Sequence, residues 1–216
     1  MKKTLILVPT AGELTLLKPH LAVLPAEDYR LHLCGFGPVS SGVRTMQLLP
    51  LLQPEQVVLI GIAGSLHESL PPGRAGWFNE AAVYGIGAGG GDAFRTAQDL
   101  GWMHFQETQP DGSDFSIQDV VSFCSAADEA QQLLTVCAAS ATQPEVRLRK
   151  KLFPAALAED MEGFSVAVAC RLAGTPLKIV RGISNIAGDR DKGRWRIKDA
   201  MDAAATLLIK ELLQDD

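Results

Sequence analysis

The chain has few cysteines, and none lies close enough to another to indicate a metal site or a disulfide framework. The four positions are Cys34, Cys124, Cys137 and Cys170. They are widely spaced, include no C-x-x-C pair and mostly lie among apolar residues, as reduced core thiols do. We therefore expect no metal, no cofactor and a cytoplasmic location.

Long hydrophobic runs and an excess of basic residues are also absent. No run approaches the ~18 apolar residues of a membrane span. The apolar start Thr4–Val8 is interrupted by Pro9 and Glu13, which favours a first buried strand over a signal peptide. With 25 acidic against 20 basic residues, the net charge is −5, and no basic stripe offsets it. A small-molecule partner is expected, with no nucleic acid and no membrane.

Apolar residues make up 47% of the 216 positions, and strand-like runs alternate with helical patterns. This alternation is typical of an α/β protein, and we expect one domain over residues 1–216 that buries roughly 70% of its unfolded surface. The predicted strands are 4–8, 30–34, 56–60, 76–84, 119–123 and 177–183. The predicted helices are one from about residue 13, then 39–49, 128–139, 163–172 and a terminal one from 197 to about 212.

Residues 85–114 break this alternation, because they are rich in glycine and then polar. A long irregular stretch inside a compact domain is usually functional or disordered, and we interpret it as a substrate-side lid or a subunit contact. Its start, Gly85–Gly90, matches G-x-G-x-x-G. A dinucleotide site would also need a helix after the third glycine, and no clear amphipathic pattern follows.

Polar residues cluster at the ends of two apolar elements, where α/β enzymes hold their ligands. They are Glu159, Asp160 and Glu162 before the predicted helix 163–172, and Ser184 and Asn185 after the predicted strand 177–183. Acids in a first helical turn also complement the helix dipole, for about 0.3–1 kcal/mol each. Spacing alone therefore leaves a structural and a functional interpretation open.

Five segments, in this order along the chain, resemble the purine nucleoside phosphorylase and nucleosidase superfamily. They are VPTAGE at 8–13, GFGPV at 35–39, GIAGSL at 61–66, FPAALAEDME at 153–162 and VRGISN at 180–185. The resemblance runs nearly end to end. It implies a nucleoside phosphorylase-like fold with a central mixed sheet flanked by helices, cleavage of an N-glycosidic bond, and a homo-oligomer, a dimer or higher.

The resemblance also implies roles for individual residues. Glu162 would accept hydrogen bonds from the ribose diol, and Met161 would form an apolar wall under the sugar. Glu13 would activate water, although its spacing alone favours an ordinary surface position on a helix. Ala63 and Gly64 would border the base and the nucleophile. Arg181 would support the water or Glu13, or else serve as a structural ion-pair partner.

Asn185 decides the expected base. Adenine nucleosidases of the superfamily carry aspartate at this place, whereas an asparagine amide can donate to the O6 and N7 acceptors of hypoxanthine. The residues from 183 to 195 read I-S-N-x-x-G-x-R-D-x-x-x-W after an M-E-G, which resembles the futalosine hydrolase branch. Its members release hypoxanthine from a 5′-modified inosine in menaquinone biosynthesis.

Water is the expected nucleophile. The hexameric phosphorylases carry an arginine where this chain has Leu59, and an acid beside a bound phosphate would repel it. Three alternatives remain open: an adenine-specific 5′-methylthioadenosine/S-adenosylhomocysteine nucleosidase, a purine nucleoside phosphorylase, and a non-catalytic nucleoside-binding protein.

Overall fold

The computed structural model describes residues 3–123 and 131–214, and strands alternate with helices through both ranges. The strands are β1 (Thr4–Val8), β2 (Tyr29–Leu33), β3 (Gln56–Ser65), β4 (Ala75–Phe78), β5 (Glu80–Tyr84), β6 (Gly87–Ala88), β7 (Arg95–Thr96), β8 (Phe105–Thr108), β9 (Asp114–Ile117), β10 (Val120–Ser122), β11 (Gln132–Val136), β12 (Ala156–Asp160) and β13 (Leu177–Ile186). The helices are α1 (Ala11–Leu17), α2 (Gly37–Leu52), α3 (Gln143–Leu152), α4 (Gly163–Leu172) and α5 (Ile197–Gln214).

The strand β3 is the centre of a nine-stranded sheet. It pairs in parallel with β1 on one side and with β13 on the other, and its last two residues pair with β12 in antiparallel orientation. The sheet continues from β1 to β2, from β12 through β11 and β5 to β10, and from β13 to β4. Parallel and antiparallel pairs occur together, so the expected α/β fold with a mixed sheet is confirmed.

Helices cover both faces of this sheet. Neighbouring residues of a strand point to opposite sides, so each central strand contributes side chains to a core on either face. Leu5 and Leu59 belong to a core cluster with α2 and α4, whereas Ile6 and Ile60 belong to a second cluster with α5. The contact between α5 and β13 requires glycine at position 182. A Cβ there would lie 1.9 Å from the carbonyl oxygen of Ala200. No helix in the described ranges has both the length and the apolar character for crossing a bilayer.

The predicted helix 128–139 is wrong in its described part. Residues 124–130 lie outside the described residues, and the prediction for Cys124 falls among them. Within the described part, Gln132–Val136 form the strand β11. All five residues of β11 are buried, because the strand lies between β5 and β12. A short apolar run that is covered on both faces lacks strand alternation and can be mistaken for part of a buried helix.

The acidic cluster precedes α4, as predicted, but the strand that carries two of its members was not predicted. Glu159 and Asp160 end the strand β12, and α4 begins only at Gly163, with Glu162 at its N-cap. Small and acidic residues are uncommon in strands, so Ala156–Asp160 carried little strand signal. Another predicted strand, 76–84, is divided at Asn79 into β4 and β5, which pair with different neighbours.

Residues 85–114 are less irregular than the sequence suggested. They contain the short pair β6 and β7, and the pair of β8 with β9. Two short 3-10 turns, at 91–93 and 98–100, stand where a dinucleotide site would need an α-helix. The interpretation of this stretch as a lid or a subunit contact stays a prediction. Cys137 is exposed, unlike the buried Cys34 and Cys170.

Candidate active site

Arg181 is the centre of a buried cluster of charged side chains. It lies in β13 opposite Gly61 of β3 and is 0% exposed. Its Nε and Nη2 donate to Oδ2 of Asp160 at 3.1 and 2.6 Å, and Nη2 also donates to Oε2 of Glu162 at 3.3 Å. Burial lowers the pKa of the guanidinium, but the surrounding carboxylates more than offset this and hold it above its ordinary value. Arg181 is therefore a fixed positive charge.

One nitrogen of Arg181 remains without a partner. Within residues 3–123 and 131–214, Nη1 is buried and makes no hydrogen bond. A Cβ at Gly61 would lie 2.2 Å from Nη1 and 2.7 Å from Oε1 of Glu13, so both atoms reach the backbone at this glycine. Leaving a buried donor unpaired costs about 1–3 kcal/mol, and such an atom therefore indicates a place for a ligand or a water molecule.

Glu13 is buried in the first turn of α1, the helix that follows β1, and its side chain reaches the backbone of β3 at Ile62. Thr10 is the N-cap of α1, and its hydroxyl donates to Oε2 of Glu13 at 2.5 Å. The amide of Ile62 donates to Oε1 at 2.9 Å. The favoured interpretation from spacing, an ordinary surface glutamate, is wrong. Both oxygens are held by donors, and the carboxylate lies beside Arg181.

Glu162 lies between Arg181 and the start of α2. Its Oε1 accepts a hydrogen bond from the amide of Gly37 at 2.9 Å, while Oε2 faces Arg181. Burial raises the pKa of Glu162 to about 7; Arg181 opposes this rise, and the charges of Asp160 and Glu13 add to it. Near neutral pH the carboxyl group is therefore divided between its two protonation states. Met161, beside it, is half-buried against a third core cluster.

Asn185 lies three register pairs beyond Arg181 on the same strand, opposite Gly64. The pairing of β13 with β3 shifts between Ile183 and Asn185, so Ser184 is an extra residue at a bulge. The Ser184 hydroxyl donates to Oδ1 of Asn185 at 2.8 Å, and Nδ2 of Asn185 donates to the carbonyl of Ile186 at 2.9 Å. One amide hydrogen of Asn185 is left for a ligand.

Ala63 and Gly64 lie beside Asn185 and belong to the last part of β3, which continues to Ser65. The Ser184 hydroxyl is also within 3.3 Å of the carbonyl oxygen of Ala63, which is buried. A Cβ at Gly64 would make only ordinary contacts, 3.6 Å from Ala187 and from Glu159. The close approach that requires glycine is thus at Gly61, and not at Gly64.

The three acids of the sequence cluster divide between two sites. Glu159 points away from Arg181 and accepts hydrogen bonds from Arg149 at 2.6 Å and from the backbone of Ser140 at 2.7 Å. Asp160 and Glu162 face Arg181 instead. Sequence reasoning assigned no role to Asp160, because its partner is distant in the chain. Thr10 could have been found, because threonine is a preferred N-cap residue.

Glu13, Arg181 and Glu162 thus come together from three segments of the chain, and Asn185 lies further along β13, beside Ala63 and Gly64 of β3. The described residues contain no group of histidine, cysteine and acidic side chains arranged to hold a metal ion. The cluster offers fixed hydrogen-bond acceptors, one free guanidinium nitrogen and one free amide hydrogen. This is an arrangement suited to a small polar ligand.

Comparison with known proteins identifies a family and individual relatives of this chain. A model of the phosphorylase superfamily matches residues 23–214. A futalosine hydrolase of Streptomyces coelicolor is 32% identical over 72% of this chain and 64% of its own length. A 5′-methylthioadenosine/S-adenosylhomocysteine nucleosidase of Buchnera aphidicola is 26% identical over 90% of this chain and 77% of its own.

The fold has counterparts among solved structures. A futalosine hydrolase of Helicobacter pylori superimposes with a TM-score of 0.75 at 16% identity, covering 99% of this chain and 98% of the other. At that identity the match shows a shared fold and no more. The chain covers 64% of the Streptomyces protein, less than two thirds of its length.

Proposed function

This chain belongs to the phosphorylase superfamily, and we propose that it is a purine nucleosidase whose substrate is futalosine. The reaction would be hydrolysis of the N-glycosidic bond of a 5′-modified 6-oxopurine nucleoside. The products would be hypoxanthine and dehypoxanthine futalosine, a step of menaquinone biosynthesis. We propose a cytoplasmic location, which the free thiols of Cys34, Cys137 and Cys170 support.

The observation that carries the proposal is the unpartnered Nη1 of Arg181 beside Oε1 of Glu13. A water molecule there could accept from the guanidinium and donate to the carboxylate at the same time. Glu13 would take a proton as the water oxygen forms a bond to C1′ of the ribose. General base action of this kind contributes about 10²–10⁴-fold to the rate.

Glu162 is the proposed ribose ligand. Gly37 and Arg181 each supply one hydrogen bond to its oxygens, and a carboxylate can accept about four. The remaining capacity suits the 2′- and 3′-hydroxyl groups of a ribose. Met161 would pack under the sugar. The negative charges of Glu13 and Glu162 would also stabilise the positive charge that develops on the ribosyl group as the C1′–N9 bond breaks.

Asn185 is the proposed base ligand. The electron pair of the breaking bond moves to the purine, which then takes up a proton. The free amide hydrogen of Asn185 can donate to O6 or N7 of a 6-oxopurine, whereas the 6-amino group of adenine is itself a donor. Ser184 supports this assignment. Because its hydroxyl donates to Oδ1 of Asn185, the amide nitrogen Nδ2 remains available to donate to the base.

Hydrolysis is favoured over phosphorolysis by the charge of the site. Three carboxylates, those of Glu13, Asp160 and Glu162, surround a single guanidinium, and a phosphate dianion placed there would be repelled. Leu59 is 0% exposed and supplies no cation. The relatives named above are a hydrolase and a nucleosidase, so the alternative is an adenine-releasing nucleosidase rather than a phosphorylase.

The test is release of free base in buffer without phosphate. Purified protein is incubated with futalosine, inosine or 5′-methylthioadenosine, and the free base is measured by liquid chromatography. We expect hypoxanthine from futalosine and little adenine. Adenine release from methylthioadenosine at the higher rate would favour the alternative, and tight binding without base release would favour a non-catalytic binding protein.

The base assignment has its own test in Asn185→Asp. A carboxylate at this position would face the acceptors of a 6-oxopurine, so we expect kcat/KM for futalosine to fall about 10- to 100-fold, the size of one lost hydrogen bond to a buried group. Activity on adenosine-type nucleosides should fall less or rise. A variant as active on futalosine as the parent would contradict the assignment.

We also propose that the chain forms a homo-oligomer. Apolar side chains of α2 and α4 are exposed around a cavity of about 340 Å³. They are Val39, Val43, Met46 and Leu172. Contiguous exposed apolar surface of this kind usually marks an interface, and a second copy of the chain is the proposed partner.

A further inference from the structure

We propose that Asp160 is a positioning residue, which holds the guanidinium of Arg181 so that its free nitrogen points at the place of the attacking water. The inference deepens the proposed nucleosidase function and depends on it for its catalytic meaning. Neither the sequence motifs nor the comparisons assign a role to this residue.

The distances identify Asp160 as the main partner of Arg181. A single oxygen, Oδ2, accepts hydrogen bonds from both Nε and Nη2 of the arginine, at 3.1 and 2.6 Å. The hydrogen bond to Glu162 is longer, at 3.3 Å, and involves the same Nη2. Two of the three guanidinium nitrogens are therefore held on one side, and Nη1 is left to point at Gly61 and Glu13.

Asp160 is itself fixed by neighbours outside the catalytic set. Its Oδ1 accepts from the hydroxyl of Thr135 at 2.7 Å, and its Oδ2 accepts from the amide of Gly163 at 2.8 Å. The Thr135 hydroxyl in turn accepts from the amide of Phe164 at 2.7 Å. The orientation of Arg181 is thus set by β11 and by the first turn of α4, and it does not depend on a bound substrate.

The charge of Asp160 also affects Glu162. Burial raises the pKa of Glu162, Arg181 lowers it, and Asp160 raises it again. An uncharged residue at position 160 would remove one source of the rise and free Arg181 to pair with Glu162. Both changes lower the pKa of Glu162, which gives a readout that does not require substrate.

The chain supplies a matched control for this test. Glu159 is the preceding residue of β12 and is as buried as Asp160, at 4% against 5% exposure. It also pairs with a buried arginine, Arg149, at 2.6 Å, but it faces away from Arg181. Glu159→Gln therefore removes a buried ion pair from the same strand without removing a partner of Arg181, Glu13 or Glu162.

The experiment compares Asp160→Asn with Glu159→Gln. We expect kcat of Asp160→Asn to fall about 10²-fold, the effect of a misplaced catalytic group, with KM changed only a few-fold. Glu159→Gln should keep kcat near that of the parent, although both variants lose thermal stability. Equal losses of kcat in the two variants, or a change in KM alone, would overturn the proposal.

A second measurement follows the carboxyl group of Glu162 by ¹³C NMR during a pH titration. Its midpoint should fall in Asp160→Asn and stay in Glu159→Gln; an unchanged midpoint in Asp160→Asn would overturn the proposal. If the parent releases no base from any nucleoside, the proposed function fails, and the titration still tests the arrangement of Asp160, Arg181 and Glu162. Should Asp160→Asn not fold, Thr135→Val replaces it, with a smaller loss of kcat and a smaller fall of the midpoint expected.

Discussion

At the scale of single residues, the site depends on contacts between residues that are far apart in the chain. Arg181 reaches Asp160 and Glu162 from a neighbouring segment, but Glu13 approaches it from the opposite end of the sequence. The burial of these groups is what gives them unusual properties. Charges in water would be screened, whereas here burial raises the pKa of Glu162 and the neighbouring carboxylates raise that of Arg181.

Glu13→Gln tests the proposed general base. The amide keeps the size of the side chain and can still accept from Ile62, but it cannot take a proton from water. We expect kcat to fall about 10²–10⁴-fold with little change in KM. Steady-state kinetics with the preferred nucleoside measure both, and a variant with unchanged turnover would remove Glu13 from the mechanism.

The raised pKa of Glu162 predicts how stability depends on pH. Burial raises it from 4.5 to about 7, so the folded state binds this proton more tightly than the unfolded state. The resulting stabilisation is fully present below pH 4.5 and is lost as the pH rises through 7. At 1.36 kcal/mol per pKa unit, the loss is on the order of 3 kcal/mol.

Urea unfolding of the parent and of Glu162→Gln at pH 5 and pH 8 measures this effect. Glutamine resembles the protonated acid, so the variant should lack the part of the pH dependence that Glu162 causes. Equal pH dependence in the two proteins would contradict the assignment.

The ionised carboxylate can accept more hydrogen bonds from the diol, and kcat/KM of the parent should therefore rise through pH 7.

The sequence predicted single residues unevenly. Motifs that resemble a known superfamily single out Glu13, Glu162 and Arg181, and the structure brings these three side chains together. Asp160 belongs to the same motif but was given no role, since nothing local shows that it faces Arg181 while Glu159 faces Arg149. The direction of a side chain follows from strand register, and register depends on contacts distant in sequence.

At the scale of elements, β3 and β13 together build the site. Their parallel pairing sets Arg181 opposite Gly61 and brings Asn185 opposite Gly64 near the end of β3. On its other side Arg181 lies opposite Gly76 of β4. Arg181 is therefore paired with a glycine on each neighbouring strand, but only Gly61 lies close to its guanidinium group.

Gly61→Ala tests this pairing. Its Cβ would lie 2.2 Å from Nη1 of Arg181, so the arginine or the strand must move. We expect kcat to fall about 10²-fold, with a loss of about 1–3 kcal/mol in the free energy of unfolding. In the control Gly76→Ala, the new Cβ would meet Leu70 at an ordinary 3.5 Å. Its kcat and its free energy of unfolding should therefore stay near those of the parent. Full activity in Gly61→Ala would refute the arrangement of Nη1 and Glu13.

Elements with a clear local signal were predicted well from the sequence. The bounds of β1 and α4 agree with the structure, and α5 begins at the predicted residue. The helix α3 was missed, although Thr142 and Glu145 form a capping box at its start, which is a recognisable signal. The strands β11 and β12 had no such signal, because one is covered on both faces and the other consists of small and acidic residues.

At the scale of the whole molecule, the apolar face on α2 and α4 is the feature that a single chain leaves unexplained. Val39 and Val43 are among the most exposed large apolar residues of the described chain. The sequence predicted a homo-oligomer through its resemblance to a superfamily. It could not locate the interface, because which side of a helix stays uncovered is decided by the packing of the other elements.

Val43→Glu tests this face. Val43 is 68% exposed, so the substitution should not disturb folding, but it would bury a charge in the proposed interface. We expect the oligomer to dissociate into monomers in sedimentation velocity experiments. Val23→Glu, on a turn at 64% exposure, is the control and should keep the assembly of the parent. A monomeric parent, or a Val43→Glu variant that stays assembled, would contradict the proposed interface.

The strand β12 constrains how this protein can change its length. Glu159 and Asp160 are adjacent and point to opposite faces, each towards its own arginine. Inserting or deleting one residue in β12 would exchange the two faces, so that both guanidinium groups would lose their acids together. We therefore expect an insertion or deletion of one residue in β12 to harm the protein more than two combined point substitutions in the same strand. Natural or engineered length variation should therefore avoid residues 156–160 and fall in the connecting loops.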